Sequence, residues 1–115
     1  MEKPFKLYPK WIKWNYRGTT LYPFGIYLKR FDYPDIKKLK NHELIHWNQQ
    51  KEMFAIFFYL WYFIEWFINM FKFGKRAYVK LSFEQEAYDN DQDLTYLSKR
   101  KRYSWFKYLR YKPIN

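Results

Sequence analysis

The chain has 115 residues, enough for one domain with one modest core, and 49% of them are apolar, which excludes a disordered chain. It carries 22 Lys and Arg against 11 acids, a net charge of +11 that points to an anionic partner such as nucleic acid or anionic lipid. With no cysteine, disulfides and thiolate metal sites are excluded.

Residues 1–31 read as extended structure. Trp11 to Tyr16 mixes aromatic and basic residues, Arg17-Gly18-Thr19-Thr20 has the composition of a turn, and Leu21 to Phe31 is rich in β-formers, so a small hairpin is expected. Pro23 belongs at an edge or a bulge of that second run. The N-terminal residues Met1 to Lys6 show no apolar signal region, and the expected address is the cytoplasm, in solution or at the inner face of a membrane.

A capping acid beside proline in Asp32-Tyr33-Pro34-Asp35 marks a helix start, and no breaker follows until Gly74, so residues 35–73 read as helical. On the first half, Leu39, His42, His46, Gln49, Gln50 and Met53 share a face. The second half, Met53 to Phe71, has Glu65 as its only charge and is long enough to be a candidate for a membrane span, with Lys72, Lys75 and Arg76 after it. Glu65, Asn69 and the central tyrosines and tryptophans argue against insertion and for a core helix. Gly74 suits a helix C-cap, and Ser82-x-x-Gln85 resembles a capping box opening a helix over 82–98. A basic, aromatic tail over 99–115 follows, and Lys99, Arg100, Lys101, Arg102 and Trp105 are its candidate contacts to an anionic surface. No RRM, KH or zinc-finger signature accompanies it, which favours membrane over nucleic acid.

The chain has two histidines, in His42-Glu43-Leu44-Ile45-His46. Four residues is slightly more than one helical turn, so both imidazoles project from one face and can share one ion. Glu43 lies about 100° round the helix, able to miss the metal and reach a water bound to it. This is HExxH chemistry: zinc acidifies the water, and the glutamate accepts its proton during attack on a carbonyl. One zinc per chain is expected. A third ligand must come from a separate helix, and Glu84 and Glu86 are the two candidates; Asp89, one turn on, would be the partner of Glu86. Tyr88 is the candidate for stabilising the oxyanion, although no spacing rule selects it.

Glu84-x-x-Ala87-Tyr88 resembles the ExxAD element of the membrane-associated gluzincins, the group of CAAX-prenyl-protease-like and heat-shock-protease-like enzymes. That resemblance implies zinc on Glu84, with Tyr88 standing where the family has an acid. The layout Asn41-His42-Glu43-Leu44-Ile45-His46, Gln49-Gln50, Ser82 to Tyr88 is also similar to a family of small bacterial proteins sharing an NHExIH…QQ…FExEAY pattern. Together these imply a single zincin-like domain over 1–115, mainly α with a small N-terminal β-hairpin. In it the HExxH helix packs on the helix carrying the third ligand, and the activity is that of a metallopeptidase hydrolysing a peptide or protein substrate. The alternative is a non-catalytic protein, stabilised by zinc or attached to a membrane through its basic aromatic surface.

Overall fold

The computed structural model describes residues 5–7 and 17–109. They form a mainly helical domain with a three-stranded sheet at its N-terminal end. The strands are β1 (Phe5–Leu7), β2 (Gly18–Leu21) and β3 (Gly25–Leu28), in the order β1-β3-β2. β2 and β3 are the antiparallel hairpin, with Thr20 opposite Ile26, and β1 pairs parallel to β3. The expected turn at Arg17 to Thr20 is instead strand, because Thr20 is drawn against the first long helix by side-chain hydrogen bonds. The chain reverses at Tyr22-Pro23-Phe24, where Phe24 N–H donates to Leu21 O and the Tyr22–Pro23 bond is cis. The expected strand over Trp11 to Tyr16 and the residues beyond Leu109 lie outside the described residues.

Helix α1 (Ile36–Glu52) begins after Asp35, whose carboxylate makes no cap bond because Arg17 binds it through both oxygens. The uninterrupted helical run anticipated to Gly74 breaks at Met53-Phe54-Ala55, and the chain bends by 110° into α2 (Ile56–Phe73). Phe54 and Ala55 take positive φ, which costs an L-residue about 1–2 kcal/mol each. The bend brings Phe58 onto Phe83, with ring centroids 4.4 Å apart. Burial of such aromatic side chains, worth roughly 1.5–3 kcal/mol each, offsets that cost. α2 ends at Gly74 (φ +58), whose N–H donates to Met70 O.

Helix α3 spans Ser82–Asn90 and stops well short of residue 98; a turn and the short α4 (Tyr96–Lys99) follow. Asn41 on α1 donates to the carbonyls of Asp91 and Asp93, so the break is satisfied from outside the helix. Ser82 does not cap α3. Its N–H and hydroxyl both donate to Glu65 on α2. One core cluster joins Ile26, Leu28 and Leu39, and the other joins Phe58, Phe83 and Trp105, the last from a 3₁₀ helix over Ser104–Leu109. Among the described residues no single helix is long and apolar enough to cross a membrane.

Candidate metal centre

On α1 a spacing of four residues sets the two imidazoles edge to face, with centroids 4.9 Å apart, and α3 carries Glu84 across to meet them. His42 Nε2 lies 3.3 Å from Glu84 Oε1, and His46 Nε2 lies 3.1 Å from Glu84 Oε2. All three side chains are buried, and their ligand atoms lie within 4.8 Å of one another. His46 Nε2 and Glu84 Oε1 are buried without a hydrogen-bond partner. Such orphaned atoms are costly in a folded chain, and a shared cation would satisfy both.

The outer nitrogens are already committed. His42 Nδ1 is 2.9 Å from Asp91 Oδ2, so Nδ1 carries the hydrogen and Nε2 presents its lone pair. His46 Nδ1 is 2.8 Å from Gln49 Oε1. Gln49 Nε2 donates to Phe83 O and Glu86 Oε1, which fixes the amide orientation and makes Oε1 an acceptor. His46 Nδ1 must therefore donate, leaving its Nε2 for the centre. Without a cation the imidazoles share Glu84 as a counter-charge. Burial opposes a charge on His42, but the neighbouring carboxylates of Asp91 and Glu84 outweigh it and hold its pKa at about 10. His46 is also raised, with burial opposing and the charge of Glu84 prevailing. Burial works against ionised Glu84, yet the two histidines pull its carboxyl well below the usual range.

Glu86, the other candidate ligand, points elsewhere. Its oxygens accept from Gln49, from Tyr96 and from Arg100, and Arg100 also grips both oxygens of Glu52. With a guanidinium already neutralising it, Glu86 is part of a buried ion pair. The side chain of Arg100 is 4% exposed, so it is no contact for an anionic surface. Trp105 is likewise buried in the core; Lys99 is exposed but pairs with Asp93, which leaves Lys101 and Arg102 as the exposed members of that group with no ion pair among the described residues. Asp89, the expected partner of Glu86, accepts instead from the Tyr108 hydroxyl.

Glu43, next to His42 on α1, lines two clefts that meet at Gly18, Glu43 and Tyr78. One, about 300 Å³, runs past His46 and Glu84 to Phe58, Tyr59 and Tyr62; the other, about 360 Å³, runs past His42 to Arg17 and Lys38. Each is at the small end for a ligand site and takes a side chain or two. Glu43 Oε1 accepts from Thr20 Oγ at 2.7 Å. A Cβ on Gly18 would meet Glu43 Oε2 at 3.1 Å and Leu28 Cδ2 at 2.9 Å, so any side chain here would press on both the carboxylate and the buried leucine.

The Tyr88 ring packs tilted against His42, with ring centroids 4.6 Å apart, and burial followed by the charges of Glu84 and Glu43 pushes its hydroxyl up to about 12. Tyr78, not singled out by the sequence, borders both clefts and hydrogen-bonds Glu84. Burial, then the neighbouring carboxylate, keep its hydroxyl protonated far above neutral pH. Comparison with protein-family models, with curated proteins and with solved structures finds no match to this chain.

Proposed function

We propose that the chain is a zinc-dependent metallopeptidase of the gluzincin type, with His42, His46 and Glu84 as ligands and Glu43 as general base. The observation that carries this reading is the convergence of two Nε2 lone pairs and an unpartnered carboxylate oxygen in a buried pocket, with Glu43 beside them on an open cleft. Two imidazoles and a carboxylate are a ligand set that zinc accepts with a coordination position left over. Bound zinc would supply Lewis acidity to water and to a substrate carbonyl. Thr20 orients Glu43 to take a proton and later return it, and Asp91 and Gln49 hold the histidine tautomers. Tyr78 and Tyr88 are the protonated hydroxyl groups bordering the clefts, suited to donate to developing negative charge. The cleft between β2 and the aromatic residues of α2 has room for one or two side chains of a peptide laid along the β2 edge.

A purely structural metal tying α1 to α3 is the competing reading, and Glu43 argues against it, since such a site has no use for a carboxylate held on a cleft. Elemental mass spectrometry on the purified protein tests the centre. One zinc per chain is expected, lost in His46→Ala and Glu84→Ala. Glu43→Gln should keep the metal and lose peptidase activity by about 100-fold or more, the scale of general-base catalysis. A wild-type chain that takes up no zinc, or a Glu43→Gln variant as active as wild type, would overturn the assignment.

A further inference from the structure

Helix α2 is built inside out. Its polar residues Glu65 and Asn69 face the protein, where Glu65 accepts from Ser82 and Asn69 donates to Ala77 O. Its opposite face carries Ile56, Leu60, Phe63, Phe67 and Phe71, from 51% to 79% exposed. These positions recur every three or four residues and so form one stripe along the helix. The stripe is continuous: the rings of Phe63 and Phe67 stack at 6.3 Å, and Phe67 meets Phe71 at 5.1 Å. An exposed apolar face of this length marks a contact surface.

Charge identifies what covers it. Beyond the C-terminal end of the stripe Lys72, Lys75 and Arg76 are exposed, and none makes an ion pair among the described residues. At the other end Phe54, 76% exposed, borders a cavity with Lys51 and Arg102. A second copy laid on the stripe, parallel or antiparallel, would set cations against cations. A bilayer with anionic headgroups meets apolar centre and basic ends alike. The flanking Trp66 is half-buried and stacks on Phe63 beside the stripe, as suits a residue at headgroup level. α2 has 18 residues, fewer than the roughly 20 of a span, and its inner face is committed to α3.

We propose that α2 lies in the plane of an anionic membrane with Phe63 and Phe67 buried among the acyl chains. This is independent of the metal centre. Flotation of the full chain with phosphatidylcholine–phosphatidylglycerol vesicles, against pure phosphatidylcholine, tests it. Binding to the anionic vesicles is expected. The double variant Phe63→Ser/Phe67→Ser should lose roughly 100-fold in affinity, the scale of two buried phenylalanines, with an unchanged circular-dichroism melt. Lys75→Gln/Arg76→Gln should lose roughly 30-fold, the scale of two cations at an anionic surface, on anionic vesicles only. The proposal fails if wild type does not float with the anionic vesicles, or if Phe63→Ser/Phe67→Ser floats as wild type does. It fails too if light scattering finds a dimer that this variant dissociates and that ignores vesicles, which would make the occupant a second copy.

Discussion

Thr20 holds one carboxylate oxygen of Glu43, and the other rests against residue 18, where no side chain intervenes. That arrangement makes Gly18→Ala a sharp probe. The added methyl group would press on Glu43 Oε2 and on the buried Leu28, and Glu43 would move by a fraction of an ångström. We expect peptidase turnover to fall by about 10- to 100-fold, the penalty of a small misplacement of a reacting group, with zinc content unchanged. Wild-type turnover in Gly18→Ala would show that Glu43 does not need this seat. The convergence of His42 and His46 was legible in the sequence, because a spacing of four is a local property of one helix. Asp91, Thr20 and Tyr78 were not: Asp91 reaches His42 across 49 residues and Thr20 reaches Glu43 across 23. No periodicity encodes which distant acid or hydroxyl folds back onto a given side chain.

At the level of elements, α1 was legible from its buried face, whereas the bend at Phe54 and Ala55 carries no glycine or proline to announce it. It is set by packing of Phe58 on Phe83, a contact between helices. The choice between Glu84 and Glu86 was undecidable for the same reason. Neighbours two apart on α3 diverge, and the partner that claims Glu86 is Arg100, in a segment expected to be a solvated tail. Arg100 joins α1 through Glu52 to α3 through Glu86, and Gln49 passes from Glu86 to His46. Removing the guanidinium leaves two buried carboxylates facing each other. Arg100→Met should therefore destabilise the chain by about 3–5 kcal/mol, read as a lower urea midpoint. A midpoint like that of wild type would mean the pair is not buried in solution.

At the scale of the whole molecule, the described residues have a core in two separate clusters, one around the sheet and α1, the other around α2, α3 and the 3₁₀ helix. The His42–His46–Glu84 group, which could hold a metal ion, and the Arg100 pair both tie α1 to α3 and so bridge the two. A cation bound by the folded chain alone at a hundred times its dissociation constant adds about 2.7 kcal/mol. For a domain of this size that corresponds to roughly 10 °C in Tm. Zinc added to chelator-treated protein should raise Tm by that order. The shift should vanish in Glu84→Gln and persist in Glu86→Gln, although the second variant starts from a lower Tm because Arg100 loses a carboxylate. The two glutamates thus separate by what the melt responds to: one sets the response to zinc, the other sets the baseline. A zinc shift that survives in Glu84→Gln and disappears in Glu86→Gln would reverse the ligand assignment.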